Sequence, residues 1–333
     1  MDAPKKKLII IDGNAILYRA FHALPPLTNP QGEPVNAVYG FFSMLLKVIE
    51  EQKPDYFVVC FDRSSPTVRQ EMFVGYHAHR PKMDDGLVSQ MRKVDEIVER
   101  MHAAMFAVNG FEADDLIGTI AKRVQDRHSE EPKATPESKS TRSWTSQDDE
   151  QIETIIVTGD RDLLQLVDEH TKVMMLVTGL SKTLLFNEKA VEEKYGVTPA
   201  QFIDYKALIG DASDGYPGVS GIGPKTAATL LQKYKTFENL YEHVGELPER
   251  IGLQLATDAE QAALAKKLAT IIRDVPFQFD LKKCACIDFD IPALQQEFIK
   301  LGSNSLQKRL ATTFPDFAEK KKNKIPDGQM ELI

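Results

Sequence analysis

The sequence is poor in cysteine and contains no apolar run long enough to cross a bilayer. Its 333 residues include three cysteines, too few for a disulfide framework. Cys284 and Cys286 have no second cysteine pair or nearby histidine that would complete a zinc site. The apolar run that follows the basic amino terminus is also too short for the core of a signal peptide. These absences favour a soluble protein of a reducing cytosol, with no membrane partner.

An excess of positive charge is lacking as well. The formal net charge is −8, from 41 Lys and Arg against 49 Asp and Glu. Taken alone, this balance disfavours a nucleic-acid partner, because phosphate binding needs a positive surface. Overall charge misleads, however, when the acids are gathered at a metal site and the bases lie elsewhere. The positions of the acids are therefore more informative than their number.

Strand-like and helix-like segments alternate along the chain, which predicts an α/β fold with a mainly parallel central sheet flanked by helices. The predicted strands are 7–12, 56–62, 154–160 and 172–178. The predicted helices are 37–52, 87–106, 112–126, 198–208 and 224–234. The length predicts one large domain with an accessory domain, and we place them at 1–210 and 211–311.

Two segments are predicted to be without regular structure. Residues 127–151 are rich in Ser, Thr, Pro and charge, with almost no aliphatic residue, so we expect a disordered surface insertion. Trp144, the only tryptophan, lies in it and is interpreted as an incidental aromatic residue. Residues 312–333 form a basic and flexible tail that could add weak attraction to DNA.

Acidic residues stand at the ends of three apolar runs. Asp12, Asp62 and Asp160 each follow a continuously apolar segment, the pattern of a strand buried on both faces. Ligands of open α/β sheets collect outside the carboxyl ends of such strands. Three carboxylates that converge there repel one another and raise one another's pKa unless a cation lies between them. The pattern therefore predicts a divalent metal site.

Further acids fit the same site. They are Glu112, Asp114, Asp115, Asp162, Asp211 and Asp214. Mg²⁺ keeps several waters and binds through few carboxylates, so this number suits two ions better than one. A two-metal site supports in-line displacement at phosphorus, in which one ion activates a water and the pair stabilises the attacking and leaving oxygens.

Each acid also has an ordinary structural explanation. Glu112, Asp114 and Asp115 could be N-terminal acids of a helix, which the helix dipole favours. The strand-end acids could each cap a turn. These explanations do not account for an acid at the end of every buried strand, so we favour the metal site.

The segment 218–228 is a glycine-rich hairpin that leads into a helix. Its glycines let the backbone approach a phosphate, and the free N–H groups at the helix start attract the negative charge. It lacks the spacing of a nucleotide-binding P-loop. A structural turn would explain Gly221 alone, but the whole pattern is typical of a helix-hairpin-helix that contacts the duplex backbone. The residues predicted to bind DNA here are Gly221, Gly223, Lys225 and Thr226.

Basic and aromatic residues interleave directly after the second predicted strand. The basic residues are Arg69, Arg80 and Lys82, and the aromatic ones are Phe73, Tyr76, His77 and His79. A solvated loop is the default interpretation of such charges. Their place beside a predicted metal-binding strand favours a segment that guides a single strand, because bases stack on aromatic rings.

These motifs together resemble the 5′-nuclease superfamily, and most closely the amino-terminal 5′→3′ exonuclease domain of bacterial DNA polymerase I. The resemblance covers roughly residues 7–311, interrupted by the 127–151 insertion. It rests on the segments 11–13, 18–23, 32–34, 37–41, 61–62, 112–115, 158–162, 210–228 and 268–276.

The resemblance implies a PIN-like core, a helical arch at about 63–86 and a C-terminal helix-hairpin-helix (helix–three-turn–helix) subdomain. It implies that Asp12, Asp62, Glu112 and Asp114 bind a first metal ion. Asp160, Asp162 and Asp214 would bind a second, with Asp115 and Asp211 in support through water. Tyr76, His77 and Arg80 fall on the arch motif, and Arg19 lies in a segment expected to contact DNA.

The family cleaves 5′ flaps and nicked or gapped duplexes with Mg²⁺ or Mn²⁺, and its hairpin can also hold K⁺. The expected partners are DNA with a 5′ flap, nick or single-stranded 5′ end, and RNA primers on DNA. We expect a monomer, either fused to a DNA polymerase or cooperating with one, that acts in primer removal and repair.

Two positions depart from the family pattern. His77 stands where the arch motif has lysine, and an imidazole is positively charged only when it is protonated, so a phosphate contact there would depend on pH. Gly215 stands where the loop after Asp214 has asparagine, so this loop loses an amide side chain. A PIN-type ribonuclease and a DNA-binding scaffold without catalysis are the alternatives. The hairpin argues against the first, and the intact acids argue against the second.

Overall fold

The structure is a computed structural model that describes residues 5–80, 82–129, 151–180 and 182–315. Its strands are β1 (Lys6–Asp12), β2 (Tyr56–Cys60), β3 (Ala104–Phe106), β4 (Ile152–Thr158), β5 (Thr171–Thr178), β6 (Lys182–Phe186), β7 (Gly210–Asp211) and β8 (Tyr216–Pro217). Its helices are α1 (Gly13–Ala23), α2 (Asn36–Gln52), α3 (Val68–Met72), α4 (Asp85–Arg100), α5 (Ala113–Ser129), α6 (Glu188–Tyr195), α7 (Phe202–Ile209), α8 (Pro224–Tyr234), α9 (Phe237–Glu242), α10 (Glu249–Thr257), α11 (Ala259–Ala269), α12 (Ile291–Lys300) and α13 (Asn304–Thr313).

A six-stranded sheet in the order β3-β2-β1-β4-β5-β6 forms the centre of the fold. Strand β1 pairs in parallel with both β2 and β4, and only the β5–β6 pair within this sheet is antiparallel. The carboxyl ends of β1, β2 and β4 therefore lie side by side. The predicted α/β fold with a mainly parallel sheet is confirmed.

Both faces of the sheet are covered, as the apolar strands require. Leu8 and Ile10 of β1 face one layer, which includes α5, α7 and α8. Ile9 and Ile11 face the other, which includes α1, α2 and α4. Successive side chains of a strand point to opposite faces, so a continuously apolar strand needs a helical layer on each side.

The last two helices pack on the core and not beside the hairpin. Residues of α12 and α13 join the layer that contains α2 and α4. Arg100 of α4 donates to Glu297 of α12 over 2.7 Å. The end of the predicted 211–311 subdomain is thus built into the sheet's second layer.

Some element boundaries differ from the prediction. The predicted helix 87–106 ends at Arg100, and residues 104–106 form the short strand β3 instead. His102 adopts a left-handed backbone conformation with φ of 58°, which stops the helix and turns the chain back into the sheet. Helix α1 was not predicted, and it begins where Asp12 caps it.

The two segments expected to lack regular structure are described only in part. Helix α5 continues to Ser129, which corrects the predicted start of the insertion at 127. Helix α13 continues to Thr313, which corrects the predicted start of the tail at 312. The remainder of the insertion, including Trp144, and the tail from 316 lie outside the described residues. Within the described ranges, no helix has both the length and the apolar content that a membrane span requires. All three cysteines are free thiols.

Candidate functional site

Hydrogen bonds tie the ends of β1 and β4 together around Asp12. One carboxylate oxygen of Asp12 accepts from the backbone N–H of Ala15 (3.0 Å), which caps α1. The other accepts from the Thr158 hydroxyl (2.6 Å) at the end of β4. The Thr158 oxygen in turn accepts from the backbone N–H of Asp160 (2.9 Å). Two of the three strand-end acids are therefore held beside each other.

The loop after β2 brings Asp62 and the start of α5 to the same place. The backbone N–H of Asp62 donates to the Asn14 side chain (3.1 Å), and its carboxylate accepts from the N–H of Ala113 (2.7 Å). Because Asp114 follows Ala113, this contact carries Asp114 to the strand ends. The three strand ends and the α5 amino terminus meet, as the sequence predicted.

The crowding of these carboxyls raises their pKa values. Burial raises the pKa of Asp12 to about 7, and the charges of Asp62 and Asp160 add to the effect. Burial and the Asp160 charge likewise raise the pKa of Asp162 to about 7. The pKa of Asp114 is raised well above its usual range by desolvation and by the neighbouring acids. Their ionised forms need a cation, so the donor set fits hard divalent ions such as Mg²⁺.

A second group of acids lies at the other side of the cluster. Asp162, Asp211 and Asp214 each place one carboxylate oxygen within 4.8 Å of the others. Asp160 is joined to this group because its carboxylate accepts from the backbone N–H of Asp162 (2.8 Å). Asp211, which was predicted to support the second ion through water, thus lies in the same group as Asp162 and Asp214.

Lys206, which sequence reasoning missed, lies between two of these acids. Its Nζ is 2.6 Å from Oδ1 of Asp162 and also pairs with Oδ2 of Asp211. Only 6% of the residue is exposed. Burial opposes the charged amine, but the two carboxylates outweigh burial and raise the pKa of Lys206. Burial also acts to raise the pKa of Asp211, but Lys206 and Ser213 outweigh it and lower that pKa.

Arg69 does not have the position expected of a DNA-binding residue. It is 4% exposed. Its guanidinium donates to Glu112 and Asp115, and to the backbone carbonyls of Leu268 and Thr270, in five hydrogen bonds of 2.7–3.1 Å. A guanidinium has five N–H donors, so none remains for a phosphate. Arg69 instead ties the start of α5 to the carboxyl end of α11, which corrects the prediction.

Asp115 and Glu112 are both engaged by protein donors. Besides Arg69, Asp115 accepts from the backbone N–H of Ile272 (2.9 Å) and is almost fully buried. Glu112 accepts from the Thr67 hydroxyl (3.0 Å) and the Tyr76 hydroxyl (3.1 Å). Burial raises the pKa of Glu112, and Arg69 counteracts this rise. Asp115 is consequently placed to support the site, while Glu112 faces it from the arch side.

The predicted arch segment lies directly on the acid cluster. The rings of Tyr76 and His77 stack, with centroids 3.9 Å apart. His77 Nε2 is 3.2 Å from Oδ1 of Asp214, and an Arg80 Nη2 donor is 2.8 Å from the same oxygen. Within its described residues, the predicted helical arch at 63–86 contains the short helix α3 followed by turns, and it becomes helical again where α4 begins at Asp85. The arch side chains and the predicted metal ligands are in direct contact.

The departure at Gly215 has a steric reason. Gly215 has a φ of 82°, and a Cβ there would lie 2.8 Å from the carbonyl oxygen of Gly75. The backbone N–H of His77 donates to the carbonyl of Asp214 (2.9 Å) beside it. The arch backbone therefore occupies the space that a side chain at 215 would need.

Tyr216, also missed by sequence reasoning, presents a buried hydroxyl near the second acid group. It is 3% exposed, and within the described ranges its hydroxyl has no hydrogen-bond partner. Burial raises its pKa, and the charges of Asp162 and Asp214 raise it further. Neither Tyr216 nor Lys206 has a local sequence signal, because an aromatic residue in a short strand is ordinarily interpreted as core and a lysine in a helix as facing solvent.

The hairpin has the geometry that its glycines predict. Gly221 takes a φ of 77°, which a glycine adopts without strain, and α8 begins at Pro224. The start of α8 has no side-chain cap, and Lys225 is exposed. Gly223, Lys225 and Thr226 thus form an open helix amino terminus.

The two remaining predicted DNA contacts lie at the edges of the cluster. The Arg19 guanidinium lies beside Gly159, the residue that precedes Asp160. A Cβ atom placed on Gly159 would be 3.4 Å from this guanidinium. Lys82 is exposed and pairs with Asp85 over 3.5 Å.

Two sequence families cover most of the described chain. Residues 7–132 match the 5′-3′ exonuclease N-terminal resolvase-like domain, and residues 197–291 match the 5′-3′ exonuclease C-terminal SAM fold. The DNA polymerase I of Caldicellulosiruptor bescii is 37% identical over 91% of this chain and 33% of its own length. The DNA polymerase I of Bacillus subtilis is 35% identical over 92% of this chain and 32% of its own length. The chain spans about a third of the length of these relatives.

Solved structures of low sequence identity share the fold. A bacteriophage T5 flap endonuclease, in a pseudo-enzyme-product complex with DNA and metal ions, aligns with a TM-score of 0.62 at 16% identity, over 94% of this chain and 100% of its own. The catalytic core of Rad2 with a DNA substrate aligns with a TM-score of 0.54 at 14% identity, over 94% of this chain and 93% of its own. With the two matching domains in their expected order around the acid cluster, the chain belongs to the 5′-3′ exonuclease family.

Proposed function

We propose that this chain is a divalent-metal-dependent 5′ nuclease that hydrolyses DNA phosphodiesters at 5′ flaps, nicks and single-stranded 5′ ends. The observation that carries the proposal is the convergence of acids from three parallel strand ends, the α5 amino terminus and the β7–β8 loop on one place. Such a dense set of carboxylates destabilises a fold unless cations neutralise it. The family membership supports phosphodiester hydrolysis as the chemistry of this site.

The acids divide into two ion sites. We assign Asp12, Asp62, Glu112 and Asp114 to the first ion and Asp160, Asp162 and Asp214 to the second. Asp211 is assigned to the second site as well, since its carboxylate stands within 4.8 Å of those of Asp162 and Asp214. Asp115 supports the first site through Arg69. When bound, two Mg²⁺ or Mn²⁺ ions supply an activated water and neutralise the charge that develops on the phosphate.

The residues around the cluster bind and orient the DNA. Arg80, half exposed beside Asp214, and Arg19, beside Gly159, are placed to contact phosphates next to the scissile bond. The open amino terminus of α8 and Lys225 suit the duplex backbone, and the hairpin carbonyls suit a K⁺ ion. His77 and Tyr76 position the strand that enters over Asp214.

The relatives suggest the biological setting. Because the chain matches about one third of each DNA polymerase I, we propose that it acts with a polymerase, joined to it or separate, in primer removal and repair. We expect RNA primers on DNA to be substrates, and we expect the chain to act as a monomer.

The test is cleavage of a labelled 5′-flap duplex in Mg²⁺, in Mn²⁺ and in EDTA. We expect metal-dependent release of short 5′ products by the wild type. Asp160→Asn should abolish cleavage and keep flap binding, whereas Glu193→Gln, at an exposed acid of α6, should leave both unchanged. Tight flap binding by the wild type with no cleavage in either metal would refute the nuclease and leave a DNA-binding scaffold.

A further inference from the structure

The second acid group already contains a cation that belongs to the protein. Lys206 bridges Asp162 and Asp211, two of the three acids whose oxygens lie within 4.8 Å of one another. A divalent ion at that place would be held by the same carboxylates. The ammonium and a second metal ion therefore compete for these ligands.

The ammonium cannot readily leave the site. Lys206 lies in the middle of α7, where its neighbours Tyr205, Ala207 and Leu208 are buried in the core. The helix packs closely on α11 and α8 through this buried surface. An α7 fixed in this way holds the lysine side chain beside the acids.

The other basic side chains that contact the acid group are held differently. His77 and Arg80 both contact Oδ1 of Asp214, and both belong to the arch segment. The Arg80 side chain is 52% exposed, against 8% for Lys206. Arch residues can exchange Asp214 for a phosphate of DNA, but the ion pairs of the buried Lys206 among the described residues are those with Asp162 and Asp211. Of these three side chains, Lys206 is the one that stays at the ligands.

We propose that Lys206 is a positioning residue that sets the affinity of the second metal site. Its ammonium keeps Asp162 and Asp211 together before a metal binds, and it weakens metal binding there because it reduces the negative charge of the site. The inference rests on the proposed function, since it concerns the second ion of the same centre.

The proposal predicts opposite effects on stability and on metal affinity. Replacing Lys206 with methionine leaves the acids without their cation, so the metal-free protein should become less stable. The same change makes the second metal site more negative, so its affinity for Mn²⁺ should rise. Charge–charge energies at a few ångströms predict that Mn²⁺ binds at the weaker of the two sites roughly 10-fold more tightly or better. A lysine with a purely structural role would lower stability equally with and without metal and would leave the affinity unchanged.

The experiment is a calorimetric titration of the full chain with Mn²⁺ alone, together with thermal unfolding in EDTA and in Mn²⁺. The variants are Lys206→Met, Lys206→Gln and the charge-retaining Lys206→Arg. The matched control is Lys266→Met, because Lys266 also bridges two acids, Asp204 and Glu238, away from the metal ligands. Both neutral variants should bind Mn²⁺ more tightly and gain more thermal stability from it than the wild type. Lys206→Arg and Lys266→Met should keep wild-type affinity.

The outcomes separate the inference from the proposed function. If the wild type binds Mn²⁺ and the neutral variants bind it equally or more weakly, the proposed role of Lys206 is wrong. The proposed metal site would be unaffected by that result. A wild type that binds no Mn²⁺ would overturn both. If Lys206→Met does not fold, Lys206→Gln decides, because glutamine keeps a polar group of similar length at the buried position.

Discussion

Asp12 ends β1 with a carboxylate that is almost fully buried, and its replacement by asparagine should stabilise the metal-free protein at pH 8. Burial and neighbouring acids raise the pKa of Asp12 from 3.8 to about 7. As the pH rises, the Asp12 carboxyl of the unfolded chain loses its proton near pH 4, whereas in the folded protein it keeps the proton until about pH 7. The folded state therefore becomes progressively less stable between about pH 4 and pH 7. Asparagine has the shape of aspartate and carries no charge at any of these pH values. Asp12→Asn therefore avoids this loss of stability as the pH rises.

The expected gain follows from the size of the pKa shift. A rise from 3.8 to about 7 corresponds to roughly 4 kcal/mol at pH 8. The asparagine oxygen can still accept from the N–H of Ala15, but the hydrogen bond from Thr158 is weakened, at a cost of about 1 kcal/mol. The net stabilisation should be about 3 kcal/mol. At roughly 1.4 °C per kcal/mol for a chain of 333 residues, the melting temperature should rise by about 4 °C.

Thermal or urea unfolding in EDTA at pH 5 and pH 8 measures this gain. The gain should be less than half as large at pH 5, because much of the wild-type penalty appears only above that pH. In Mg²⁺ the wild type should recover stability and the variant should recover less, since it has lost a ligand. Glu193→Gln removes an exposed charge and should change none of these values. Equal stability of Asp12→Asn and wild type in EDTA at pH 8 would refute the reasoning that the acid cluster destabilises the metal-free fold.

Three further predictions test residues around the cluster. Arg69→Met should destabilise the protein by about 3–5 kcal/mol in urea unfolding, because it leaves buried carboxylates unpaired; a loss below 1 kcal/mol would contradict the structural role. Lys225→Ala should weaken duplex binding, measured by fluorescence anisotropy at several salt concentrations. The slope of the logarithm of the binding constant against the logarithm of the salt concentration should decrease by about one phosphate contact, and an unchanged slope would exclude Lys225 from the interface. His77→Lys should raise flap cleavage, most visibly at alkaline pH where lysine keeps its charge and imidazole does not, and an unaltered pH–rate profile would count against a role for this side chain.

The clustering of the acids was predictable because its signal is local. An acid directly after a continuously apolar run identifies the end of a buried strand, and parallel strands end at one edge of a sheet. The order β2-β1-β4 then places Asp12 between Asp62 and Asp160 without further information. The same logic predicted the hairpin, where glycines and the following proline determine the backbone.

The partners of these acids were not predictable, because they depend on contacts between distant parts of the chain. Arg69 appeared to be one of several bases in a loop, but its guanidinium reaches carbonyls about two hundred residues away. The predicted helix 87–106 failed for a related reason. Its apolar residues continue past Arg100, and only the left-handed turn at His102 and the pairing of β3 with β2 reveal the strand.

Lys206 shows most clearly why acids are easier to assign than the cations that balance them. A lysine in a helix is ordinarily assumed to face solvent, and nothing within α7 distinguishes this one. Its position follows from the burial of α7 and from the β7 turn, which brings Asp211 back to α7. A dense acid cluster must nevertheless be balanced by something, since its members cannot all ionise in a low-dielectric site without cations. The structure places the buried cations Arg69 and Lys206 and the more exposed Arg80 around the cluster, so the charge balance that the acids demand is divided between the rigid core and the arch.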